Sequence, residues 1–149
     1  MVIDSSSLIS LARSGLLPLL ARLPIKPVIL DVVEREAVEE GLTRGHADAA
    51  AIESAISSFT RVATPQEASA DSEVLNAAVA SGTLVANDLA LGRRAHNLGV
   101  KWLRTADLIV LLVETRAMTS REAREAISAL VAAGRLSEEL SAEYLKELT

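Results

Sequence analysis

Five short apolar runs, with helical patterns between them, constrain this chain more than any other feature. They are Val2-Ile3, Pro27-Val28-Ile29-Leu30, Phe59-Thr60-Arg61-Val62, Thr83-Leu84-Val85-Ala86 and Val100-Lys101-Trp102-Leu103. Each is long enough for a strand and too short for a helix. Strands that alternate with helices read as an α/β fold on a parallel sheet with right-handed crossovers. At 149 residues there is room for one such domain, with enough core to fold without a disulfide or a structural metal. The absence of cysteine excludes thiol catalysis and Cys-ligated metal sites.

The helix ends are legible. Ser6 or Ser7 can cap a helix running through Leu8, Leu11 and Ala12 to Gly15, and Asp31-Val32-Val33-Glu34 resembles a capping box opening the next. Gly41 and Gly82 are C-terminal stops. After the fifth strand the pattern becomes wholly helical: Thr105 to Met118, then a Thr119-Ser120-Arg121-Glu122 capping box leading a stripe from Ala123 to Gly134, then a helix after Ser137. No linker or repeat interrupts the chain. Residues 1–149 are therefore expected to form a single domain, with a core to residue 105 and a helical extension over 106–149. No apolar run approaches the roughly 20 residues that span a bilayer, and no signal peptide pattern opens the chain, so a cytoplasmic protein without a membrane anchor is expected.

Acids outnumber bases, 20 to 15, for a net charge of −5, which in bulk argues against an electrostatic nucleic-acid coat. Aromatics are only 2%, so no base-stacking platform is available. The placement of the acids says more. Asp4 ends the first strand and Asp88 the fourth. In an open parallel sheet of order 3-2-1-4-5 these strands flank the point where the order reverses, where ligands bind. Each acid taken alone also fits a helix N-cap.

Two further acids fall on apolar helix faces. At about 100° per residue, Asp71 sits among Val74, Leu75 and Ala78, and Glu36 falls between Val32 and Val33. Glu73 falls on the solvent side, and Glu40 is a weaker version of Glu36. Carboxylates on core-facing stripes are costly unless paired or metal-bound. The acids therefore either reach solvent at the rim or are neutralised by a divalent cation. An all-oxygen set selects Mg²⁺ or Mn²⁺ over Zn²⁺.

These residues resemble a known family. Val2-Ile3-Asp4-Ser5-Ser6-Ser7-Leu8-Ile9 is similar to the opening strand and Asp-Ser/Thr-Ser motif of PIN-domain nucleases, and Val33-Glu34-Arg35-Glu36 resembles their second motif. Ser69 to Ala78, containing Asp71, resembles the third. Leu84-Val85-Ala86-Asn87-Asp88, with Ala95, Gly99 and Val100 downstream, resembles the fourth. The resemblance covers about the first 105 residues and implies a three-layer α/β/α fold with a five-stranded parallel sheet of order 3-2-1-4-5. It also implies a metal-dependent endoribonuclease with Asp4, Glu36, Asp71 and Asp88 as catalytic and metal-binding residues, supported by Ser6 and Asn87. Mg²⁺ or Mn²⁺ would be the cofactor and single-stranded or structured RNA the substrate. Many such proteins are toxins silenced by an antitoxin protein, others process ribosomal RNA, and homodimers are common among them. One departure is Ala86, where the family usually carries Thr or Ser.

Positive charge lies close to the proposed pocket in sequence. Arg93, Arg94, Lys101 and Arg104 follow Asp88, and Arg44 and His46 follow the Glu36 helix, as candidate RNA contacts or plain solvated surface. His46 and His96 are too scattered for a zinc site, and Trp102 reads as core. A catalytically silent RNA- or protein-binding module of the same fold is the principal alternative. A haloacid-dehalogenase-type phosphatase would need an acid where Ser6 stands. Dinucleotide-binding, Walker and Gly-x-Ser-x-Gly motifs are absent.

Overall fold

The structure, a computed structural model, describes residues 1–43, 45–65 and 69–148, apart from the side chain of Glu40. Strands form at all five apolar runs, each shorter than its run: β1 (Val2–Ile3), β2 (Ile29–Leu30), β3 (Arg61–Val62), β4 (Thr83–Val85) and β5 (Lys101–Leu103). All pairings are parallel. The expected continuous five-stranded sheet is not what forms. The strands make a three-stranded sheet of order β1-β4-β5 and a separate two-stranded sheet, β2-β3. An isolated bridge, Val2 to Val28, in which the Val28 N–H donates to the Met1 carbonyl at 2.9 Å, is the link between them. The β1–β2 ladder stops at this one bridge, since β1 ends at Ile3 and the chain turns into α1 at Ser5.

Around the strands lie α1 (Ser5–Arg13), α2 (Asp31–Glu34), α3 (Glu40–Thr43), α4 (Ala47–Ile56), α5 (Ala70–Ser81) and α6 (Leu89–Asn97). The helical tail comprises α7 (Thr105–Glu114), α8 (Ser120–Ala132) and α9 (Glu138–Glu147). Helix α1 packs on α4 and α7, and α5 packs on α6, β1 and β4. Ile3, Leu8, Leu84, Ile109, Leu112 and Ile127 are fully buried in one continuous core, so the tail contributes to the same apolar cluster as the strands. Tyr144 Oη donates to Asp107 Oδ1 at 2.8 Å and locks α9 onto α7; burial first, then this bond, raises the Tyr144 pKa. Among the described residues no helix is long and apolar enough to cross a membrane.

Several helix ends differ from expectation. Helix α1 is capped by Asp4, whose carboxylate accepts the Ser7 N–H, and not by Ser6 or Ser7. Asp31 is already helical, and Leu30 precedes it without any side-chain cap. Gly41 does not stop its helix but lies within α3, where a Cβ would meet the Ala49 side chain at 2.8 Å. Gly82 does end α5, at φ +87°, a conformation that needs glycine. The Thr119–Glu122 capping box and the Ser137 cap form as read.

Trp102 is half-buried and lies flat against the backbone of α6 at Gly92, where a Cβ would come within 2.0 Å of its ring. Gly92→Ala should therefore lower stability by roughly 1–3 kcal/mol through overpacking, even though alanine is the better helix former. Denaturant unfolding checks this; equal or greater stability would show that the ring can move aside.

Candidate functional site

Pairing of β1 with β4 in register Val2–Leu84 and Ile3–Val85 brings Asp4 and the Ala86-Asn87-Asp88 segment to the same carboxyl edge. The Asp4 N–H continues the ladder to the Val85 carbonyl at 3.1 Å. Asp4 is buried, only 7% exposed. Its Oδ1 accepts the Ser7 N–H at 2.9 Å and its Oδ2 accepts the Ser6 hydroxyl at 2.8 Å. Burial raises the Asp4 pKa, the hydrogen bonds from Ser7 and Ser6 oppose that rise, and the negative charge of Asp88 adds to it. Asp88 itself is exposed and caps α6, its Oδ1 accepting the Leu91 N–H at 2.9 Å. Both acids are thus N-caps, and they also face one another electrostatically.

Glu36 stands at the rim. It is exposed, and its Oε2 accepts the Ser5 hydroxyl at 2.8 Å, which ties it to the residue next to Asp4. Of the two outcomes open for an acid on this stripe, Glu36 takes the first and reaches solvent, at the start of a π-helical turn over Arg35–Glu39. Asp71 is also exposed, in the first turn of α5, while Val74, Leu75 and Ala78 on the same stripe are buried. The stripe runs past the edge of the core before it reaches Asp71. Glu73, expected on the solvent side, is partly covered. No hydrogen bond or ion pair joins Asp71 to the other three acids, and among the described residues no three acid or histidine side chains converge closely enough to hold a metal. The Glu40 side chain and Arg44 lie outside the described residues.

Supporting contacts surround the acid pair. Asn87 Nδ2 donates to Ser10 Oγ at 3.0 Å, and its Oδ1 accepts the Thr105 N–H at 3.0 Å, joining the end of β4 to α1 and α7. Trp102 Nε1 donates to the Ala86 carbonyl at 2.8 Å. Position 86 thus contributes through its backbone and is otherwise fully buried. Of the basic residues, Arg104 leaves β5 at the carboxyl edge, its guanidinium 5.0 Å from the centre of the Trp102 ring. Lys101 opens β5 and so lies at the opposite edge. Arg93 and Arg94 are exposed on α6 as it runs away from Asp88. Sequence reasoning missed Ser5, Ser10 and Arg135, whose Nε donates to Ser10 Oγ at 2.8 Å. Ser5 lies inside the Asp-Ser/Thr-Ser motif but its bond to Glu36 is not legible there, and no local pattern marks Ser10 or Arg135, because each partner lies 31 or more residues away.

The buried, repelled carboxylate has a measurable consequence. A folded-state pKa raised above the unfolded value means that the wild type loses stability as pH rises through the folded titration of Asp4. Asn caps helices as well as Asp, so Asp4→Asn in metal-free buffer should raise the melting temperature at pH 7. The difference should shrink as pH falls below the ordinary Asp value of about 4. A variant that is no more stable at pH 7, or a difference independent of pH, would contradict this account of Asp4.

A family model of the PIN domain matches residues 1–149. Comparison with curated proteins and with solved structures finds no match.

Proposed function

The chain belongs to the PIN-domain family, a nuclease-type family, and from that premise we propose that it is a metal-dependent endoribonuclease that hydrolyses phosphodiester bonds of single-stranded RNA. The observation that carries this reading is the juxtaposition of buried Asp4 with Asp88 at the carboxyl ends of two adjacent parallel strands. Like charges held in this way disfavour each other's ionised form unless a cation lies between them. The donor set is all oxygen, as Mg²⁺ and Mn²⁺ require. Asp4 and Asp88 would hold the ion, with Glu36 and Asp71 as outer carboxylates reaching in from the rim.

When bound, the cation neutralises charge on the scissile phosphate and lowers the pKa of a water. The chain's own groups do the rest. Ser7 N–H and Ser6 Oγ fix both oxygens of Asp4, and the Leu91 N–H fixes one oxygen of Asp88. Ser5 holds Glu36 by Oε2, leaving Oε1 as the atom to accept a proton from the attacking water. Phosphorus gains the water oxygen and loses its bond to one ribose oxygen, which leaves as a hydroxyl after taking a proton from solvent.

The solvent exposure of Glu36 and Asp71 favours a second reading, a PIN-fold module that binds RNA or a protein without cleaving it. Metal titration separates the two. Under the endoribonuclease reading, millimolar Mn²⁺ raises the melting temperature of the wild type but not that of Asp4→Asn. Mn²⁺-dependent cleavage of single-stranded RNA falls about 100-fold or more in Asp4→Asn and Asp88→Asn, and chelation abolishes it. Calorimetry that detects no Mn²⁺ binding, or cleavage unchanged in Asp4→Asn, would instead establish the silent module or a different site.

A further inference from the structure

A cleft of about 660 Å³ opens beside the acid pair, between the carboxyl edge of the sheet and the turn joining α8 to α9. Asn87 and Leu89, the two neighbours of Asp88, line it together with Arg104, Arg135 and Leu136. Both guanidiniums are held in place before any ligand arrives. Arg104 lies over the Trp102 ring. Arg135 follows Gly134, whose φ of +70° turns the chain out of α8, and its N–H closes that turn on the Leu130 carbonyl at 2.9 Å. Its side chain is anchored on Ser10, which is fully buried and also bound by Asn87.

Among the described residues neither arginine is ion-paired to a carboxylate, in a chain that carries five more acids than bases. The Asp107 carboxylate accepts the Arg104 backbone N–H at 2.7 Å, but no carboxylate among the described residues forms an ion pair with either guanidinium, and two such cations lining one cleft suit an anion. Their planar forks suit the paired oxygens of a phosphodiester. We propose that this cleft binds the phosphate backbone of the RNA strand next to the bond that is cut, and that Arg135 makes the helical extension a wall of the substrate groove. This rests on the endoribonuclease reading for the identity of the strand. It adds a residue and a chain segment that the four carboxylates do not involve.

The test is fluorescence anisotropy of the full chain with a fluorescein-labelled oligouridylate in EDTA, so that binding is read without cleavage, over a range of salt. Arg135→Gln and Arg104→Gln should each weaken binding about tenfold, the worth of one charge-assisted hydrogen bond. Each should also lower the slope of log affinity against log salt by about 0.7, one phosphate contact on a single strand. Arg135→Lys should keep the wild-type slope. Thermal melts monitor folding, and if Arg135→Gln unfolds, Arg104→Gln decides, since its side chain lies outside the Ser10 network.

Parental affinity and slope in a folded glutamine variant, or a wild type that does not bind the probe, overturns the cleft. Mn²⁺-dependent cleavage that persists in that case leaves the endoribonuclease standing without it. Arginine-dependent binding with no cleavage keeps the cleft and removes the endoribonuclease.

Discussion

Parallel pairing of β1 with β4 is the constraint on which the rest of the molecule depends. The pairing is only two residues long, yet it sets Asp4 beside the chain leaving β4, in a position where water is nearly excluded. A carboxylate there is unfavourable for the fold in two ways, through lost hydration and through Asp88. It is tolerated because it also caps α1 and accepts two hydrogen bonds. One residue therefore meets a local backbone requirement and creates an electrostatic demand for a positive charge. That conjunction, at the carboxyl edge of parallel strands, is the ground on which Asp4 is proposed as more than a helix cap.

The helical tail is bound into this arrangement and does not merely cover it. Ser10 on α1, Asn87 after β4, Thr105 at the start of α7 and Arg135 after α8 share one chain of hydrogen bonds. Displacing any of them would disturb the segment that carries Asp88. The net charge of −5 is consequently a poor guide to the field at the site. Exposed acids such as Glu114, Glu125 and Glu139 lie on the helical tail, while two guanidiniums with no ion-pair partner among the described residues line the cleft next to Asn87.

Legibility differed sharply between elements. All five strands, the Gly82 stop and the Thr119 capping box could be read because each rests on residues adjacent in the chain. Glu36 could be picked out as an unusual acid, but where its carboxylate lies could not, since its hydrogen-bond partner Ser5 is 31 residues away. Asp71 lay on an apolar stripe whose first turn simply outruns the core. The break between β1 and β2 was not legible, because how far two short parallel strands pair beyond the bridge at Val2 and Val28 depends on how the segments pack.

By itself, then, the sequence determined the α/β alternation, the family to which the chain belongs and the two strand-ending acids, because hydrophobic period and short-range motifs act over a few residues. Only the tertiary structure decided that Asp4 is buried while Glu36, Asp71 and Asp88 are exposed, that the sheet divides into three strands and two, and that Arg135 returns to the carboxyl edge. Burial and long-range hydrogen bonds depend on which segments meet in space, and residues 10, 87 and 135 meet only once every helix between them has packed.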